Sequence, residues 1–143
     1  MLAMFRRITR RTGKGQGGQS LVEFTLVLPI FLLVLFAIID FGMAFNAWVT
    51  VTNSAREGGR LASVGATATD VETRVRTAAS SLDQGQLTVT VTNAQGTPGD
   101  PVVVNVSYKY SLITPLANIM TIFGGGTIKQ TFTLSSTADM RLE

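Results

Sequence analysis

Residues 17–24, Gly17-Gly18-Gln19-Ser20-Leu21-Val22-Glu23-Phe24, lead into a stretch that stays uncharged for sixteen residues, from Phe24 to Ile39 (FTLVLPIFLLVLFAII). Counted from Leu21 through Phe45, the apolar character lasts long enough to cross, as a helix, a hydrocarbon core of roughly 30 Å. Upstream, Arg6, Arg7, Arg10, Arg11 and Lys14 supply five positive charges, and no acidic residue occurs before Glu23. That asymmetry holds an N-terminus on the cytoplasmic side. The sequence therefore reads first as a single-pass membrane protein whose C-terminal part lies on the far side.

A cleavable secretory signal also begins basic and continues apolar, but its apolar core is about 7–15 residues long and ends in a small-residue site. Here the run is longer, and the nearest such pattern, Ala66-Thr67-Ala68, lies far beyond it. Glu23 narrows the reading further, because a carboxylate at the head of a membrane segment is costly unless it finds a partner or stays near the interface. A cut after Gly18 would make Glu23 the fifth residue of a chain that begins at Gln19. The new ammonium group there is the natural partner for such a glutamate in a neighbouring copy.

Gly18 followed by Glu23 and Phe24 resembles the prepilin-peptidase site of type IV pilins and pseudopilins. The longer stretch resembles the TadE-like family of the tight-adherence (Flp-type) pilus system through Glu23-Phe24, Leu28-Pro29, Asp40-Phe41-Gly42 and Ala55-Arg56-Glu57-Gly58. The likeness is close from residue 18 to about 65 and holds only in outline beyond, chiefly through strands and the Met140-Arg141-Leu142-Glu143 end. It implies a minor pilin or pseudopilin in the cytoplasmic membrane, with its head in the periplasm or outside the cell. Gly18 and Gln19 would flank the cut, and Glu23 would recognise the new terminus. The helix from Phe24 to Phe45, with Leu28, Pro29, Asp40, Phe41 and Gly42, would pack in the membrane or in a filament. The implied partners are the lipid bilayer, a prepilin peptidase, other pilin subunits and the pilus assembly platform. Gly59 departs from the family pattern, where alanine is common. Two adjacent glycines in a helix cost about 1 kcal/mol each relative to alanine, so a bend or fraying is expected at Gly58-Gly59.

The chain has no cysteine and no histidine, which removes disulfides, thiolate chemistry, the commonest metal ligand and the commonest general base. No Gly-x-Ser-x-Gly elbow and no P-loop is present. No cofactor and no catalytic constellation is expected. The net charge of +3 belongs to the leader: residues 19–143 carry seven basic and nine acidic residues, a balance of −2. Such a balance gives no electrostatic case for nucleic acid. The Asn105-Val106-Ser107 sequon falls within a strand pattern and reads as chance. The glycines of residues 13–18 are suited to an extended leader in a peptidase site.

Three segments follow from this reading: a basic leader (1–18), a membrane and assembly helix (19–64) and an α+β head (65–143). A continuous helix from Leu21 to Val64 would be roughly 66 Å long, with Glu23 and Asp40 about 25 Å apart, one at each membrane face. Pro29 removes a backbone donor and favours a kink, either a plain bend or a spot that softens when a subunit leaves the bilayer. Beyond the membrane, Trp48, Val51, Ala55 and Ala62 form a stripe needing cover. Arg56, Glu57 and Arg60 lie off it, either as solvated charge with Glu57 neighbouring Arg60 or as a subunit contact.

A second amphipathic helix is expected from about Asp70 to Leu82, with Val71, Val75, Ala78, Ala79 and Leu82 inward and Thr69 or Asp70 as cap. Period-two alternation marks strands at residues 87–92, 102–110 and 127–135. Residues 93–101, rich in Gly and Pro, connect the first two as a hairpin. A head of about 75 residues is too small for a large core of its own, so the antiparallel sheet should cover the helices with one face and leave its threonine-rich face wet. Leu116, Ile119, Met120 and Phe123 recur at helical spacing after Pro115. They either close the core or, at Phe123, form a knob for a partner. The rival to a pilin is a single-pass anchor that displays a binding or adhesion domain and never polymerises.

Overall fold

The computed structural model describes residues 16–124 and 130–143. The basic leader charges, Ile128 and the side chains of Met120 and Phe123 lie outside the described residues.

Helix α1 runs unbroken from Gln16 to Ser63, through Pro29 and through Gly58-Gly59. Its two halves have different surroundings. From Leu21 to Ile39 most of the large apolar side chains are exposed, Leu26 at 69% and Ile30 at 65%, and Leu28, Leu32, Leu33 and Phe36 are half-buried. From Asp40 onward one face is covered: Asp40, Ala47, Val51, Ser54, Ala55, Gly58 and Ala62 are buried. Those spacings of three and four residues trace one helical stripe. Trp48 is not on it. Its ring is exposed and packs against Phe45 instead, centroids 5.7 Å apart.

The helix does not fray at the two glycines, and packing explains why. A methyl group on Gly58 would stand 2.4 Å from Cγ2 of Val75, and one on Gly59 would stand 3.0 Å from Cβ of Ala138. Missing side chains let α1 approach its neighbours closely, so burial offsets the poor helix propensity of glycine.

Helix α2 spans Ala68–Ala78, shorter than the periodicity suggests, because Ala79 leaves helical geometry and starts a turn. Val71, Val75 and Ala79 are buried, whereas Ala78 is exposed. Its cap is Thr67 rather than Thr69 or Asp70. The Thr67 hydroxyl accepts from the Asp70 amide at 3.2 Å and donates to the Asp70 carboxylate at 2.7 Å. Loss of a threonine cap costs about 1 kcal/mol. Thr67→Ala is expected to lower stability by that amount in urea titrations, and Thr69→Ala to leave it unchanged.

The sheet holds β1 (Leu87–Thr92), β2 (Pro101–Ser111) and β3 (Thr131–Arg141) in the order β1-β2-β3, antiparallel throughout. The β1–β2 hairpin turns through left-handed Asn93 and Gln95, with Gly99 at φ +94°, and is tied by the Asn93 side-chain amide donating to the Pro101 carbonyl at 2.9 Å. Val102, Val104, Val106 and Tyr110 point into the core with Leu87 and Ala138. Complete burial of a valine stabilises by about 1.5–3 kcal/mol, and Val51, Val71, Val75, Val102, Val104 and Val106 are all fully buried. The opposite face is polar, as in the Asn105 amide donating to Thr137 at 2.8 Å.

The third strand is displaced from its expected place. It runs six residues past Ser135, and its inward residues continue as Ser136, Ala138 and Met140, while Phe132, in the right register, stays 48% exposed. The end of the chain is structural. Leu142 is buried in the core and the Glu143 amide donates to the Ser63 carbonyl at 2.9 Å, closing the far end of α1. Helix α3 (Leu116–Gly124) sits between β2 and β3, with Ala117 buried and Leu116 and Ile119 half-buried.

Candidate functional site

The residues singled out in the sequence are arranged along α1, and the structure divides them into three places. The first is the N-terminal junction. Gly17, Gly18 and Gln19 stand in the opening turn of α1, helical rather than extended. Nothing lies within 4 Å of a methyl group placed on Gly18. Glu23 is exposed, and the Gln19 side-chain amide donates to it at 3.1 Å, one turn away. Phe24 is 60% exposed beside it. The opening turn of a helix lacks half of its hydrogen bonds, and glycine is a weak helix former, so this turn unwinds at little cost.

The second place is the apolar shaft. Leu28 and Pro29 are partly covered within it, and Phe41 and Gly42 are exposed at its end. The Thr25 hydroxyl satisfies the Leu21 carbonyl at 2.8 Å, as hydroxyls do inside apolar helices. This is a helix long and apolar enough to cross a membrane.

The third place is Asp40, where the sequence suggests only a marker of the membrane face. The side chain is buried, and it receives the head. Oδ1 accepts the backbone amides of Ile113 at 2.9 Å and Thr114 at 3.2 Å, while the Thr114 hydroxyl donates to Oδ2. The same hydroxyl accepts from the Leu116 amide at 3.4 Å, the first residue of α3. The Tyr110 phenol donates to the Asp40 carbonyl at 3.2 Å. Burial, and then the Asp40 charge, raise the Tyr110 pKa above its ordinary value and keep that donor protonated. A buried carboxylate without a cation is tolerable when such donors satisfy it. Asp40 is thus the joint between the shaft and the membrane-proximal end of the head. The sequence signal for its partner was Thr114-Pro115 ahead of an apolar helical repeat, a start of the kind that Thr at the cap and Pro at the first turn provide.

Arg56 and Arg60 are exposed, and Glu57 does not pair with Arg60 in the structure. Its partner is Arg74 of α2, at 2.8 Å. The hydrogen bond from that guanidinium, reinforced by its charge, holds the Glu57 carboxyl below its usual range. The sign follows: whatever the pair adds is present above the ordinary carboxylate range and fades as pH falls through the lowered value. Both side chains are largely in water, so the contribution is small.

Comparison with curated proteins and with solved structures returns no match. A protein-family model does match, that of the TadE-like protein, over residues 18–60. The matched segment is α1 almost end to end, from the Gly18 junction through the apolar shaft and the Asp40 joint to the charged turn at Arg60. Over these residues the chain is similar to that family.

Proposed function

We propose that the chain is a minor pilin or pseudopilin that acts in assembling a tight-adherence pilus or a related secretion machine. It would insert with its basic leader in the cytoplasm and lose that leader to a prepilin peptidase after Gly18. The head would then stand outside the cytoplasmic membrane. The observation that supports this best is the state of α1. The family-matched helix leaves most of its large apolar residues from 21 to 39 exposed, while the head covers one face of the half beyond. A shaft of that kind is satisfied first by lipid and then by the shafts of neighbouring subunits, which is what a pilin requires. The role is structural, one of packing and recognition.

Within this reading Glu23, now held by the Gln19 side chain, turns to the ammonium group of a processed neighbour. Arg56 and Arg60, both exposed, would meet other subunits, and Phe123, whose side chain lies outside the described residues, would be a further contact. The test is the intact mass of the membrane-extracted protein from its native host. Wild-type protein should begin at Gln19. Gly18→Leu should remain at full length, because the bulky side chain denies the peptidase its glycine, and should be lost from sheared surface filaments. A normally shortened Gly18→Leu product would sink the processing reading. Wild-type protein left at full length beside an active peptidase would favour a permanent anchor.

A further inference from the structure

The membrane-proximal end of the head carries an apolar surface where it meets the shaft. Ile113 is 63% exposed, Phe132 48% and Phe41 75%. Between them opens a groove of about 440 Å³ walled by Ala37, Phe41, Tyr110, Leu112, Leu116 and Phe132. A second apolar hollow, on Leu33, Val34 and Ile38, shares Ala37 and Phe41 with it. The surface of the head is therefore continuous with the apolar shaft.

Depth along α1 says what medium this surface meets. The Ile113 amide is bonded to Asp40, one residue beyond Ile39, so loop and α3 start stand level with the end of the uncharged run. Residues 110–124 include no charged side chain. Among the described residues, Arg74, Asp100 and Arg141 stand toward the far end of the head, beside Glu57, Leu142 and Pro101, and Lys109 is exposed on the face of the sheet opposite Tyr110. Apolar segments flanked by a polar body settle at the boundary between headgroups and acyl chains.

We propose that the loop 112–115, the start of α3 and Phe132 rest on the bilayer leaflet at the Asp40 end of the shaft, with Ile113 and Phe132 inserted among phospholipid acyl chains just below the headgroups. The head is then seated on the membrane, and its orientation is fixed by two contacts, the helix and the surface. Lipid is favoured over a second copy because the groove runs without interruption into the segment read as bilayer-embedded. The proposal rests on that reading, which the experiment checks separately.

The chain has no cysteine, so single cysteines can carry a nitroxide unambiguously. The full chain with Ile113→Cys, Phe132→Cys, Leu26→Cys or Thr90→Cys would be reconstituted in vesicles of phosphatidylcholine and phosphatidylglycerol. Collisions of each label with oxygen, which concentrates in acyl chains, and with a water-soluble nickel chelate would then be compared. Leu26 reports the shaft and Thr90, exposed on the sheet, reports water. The expected result is an oxygen-to-nickel ratio several-fold higher at 113 and 132 than at 90, and below that at 26. Ratios at 113 and 132 equal to that at 90, with 26 in lipid, would overturn the seating and spare the span. An aqueous label at 26 would overturn both. Spin–spin broadening at 113 or 132 that disappears on dilution with unlabelled chain would assign the surface to a second copy and overturn the lipid contact.

Discussion

Gly58→Ala should destabilise the head by about 1–2 kcal/mol, the reverse of what helix propensity alone dictates. In an open helix the substitution gains about 1 kcal/mol. Here the added methyl group meets Cγ2 of Val75 at 2.4 Å and Cγ1 of Val104 at 3.2 Å, and both valines are fully buried. Neither is the free end of a long side chain, so α1 must move away from α2 and the sheet. Overpacking of this kind costs about 1–3 kcal/mol, which exceeds the propensity gain. The measurement is urea unfolding of the full chain in detergent, followed by the circular dichroism of its strands. Gly42→Ala is the control on the same helix, since nothing lies within 4 Å of its added methyl group, and it should be neutral or stabilising. Combining Gly58→Ala with Val75→Ala returns the space, so the double variant should lose less than the sum of the two single ones. A stabilised Gly58→Ala protein would mean that the helices do not approach as closely as described.

The same glycines show where the sequence could be read and where it could not. Elements with a strong period were legible: the 48-residue helix, the alternation of β1 and β2, and the wet threonine face. The family resemblance is carried by residues 18 to about 65, and a family model matches residues 18–60 of them. Misreadings came where a local rule was outweighed by contacts distant in sequence. Gly58-Gly59 looked like a weak point because propensity is local, whereas the closeness of Val75 and Ala138 is not. Helical spacing puts Trp48 on the covered stripe, yet the head selects small residues such as Ala47, Ser54, Ala55 and Ala62, since the sheet lies close to the helix. The end of β3 was hidden because Ser135, Ser136 and Thr137 interrupt the alternation, and Ser136 occupies an inward position normally held by an apolar residue. Glu57 was read against the neighbour on its own helix, and its partner came from α2. Asp40 was the largest omission. A carboxylate after a long apolar run marks a boundary on composition alone, and nothing local reveals that a loop more than seventy residues away supplies its hydrogen-bond donors.

Asp40→Ala should open that loop selectively. The substitution leaves two backbone amides and one hydroxyl without their acceptor, and hydrogen bonds to a charged group contribute about 1.5–3 kcal/mol. A local loss of about 3 kcal/mol corresponds to roughly a hundredfold faster amide exchange, expected at Ile113 and Thr114. Leu116 should follow, because its amide bonds to the same Thr114 hydroxyl that Asp40 orients. The far end of the head is fastened independently, by the Leu142 amide on the Asp100 carbonyl at 3.0 Å and by Glu143 on Ser63. Exchange at Leu142 should therefore hardly change, which distinguishes opening of a joint from unfolding of the head. Asp40→Asn separates charge from geometry. Its amide oxygen can still accept from both backbone amides, and the Thr114 hydroxyl can turn to accept from its NH2 group, so protection at Ile113 and Thr114 should fall much less than in the alanine variant. Uniform acceleration across the head in Asp40→Ala would show that the carboxylate supports the whole fold, and unchanged exchange at Ile113 and Thr114 would show that the loop is held by its apolar contacts alone. The graded result would identify Asp40 as the residue that ties the orientation of the head to the helix that carries it.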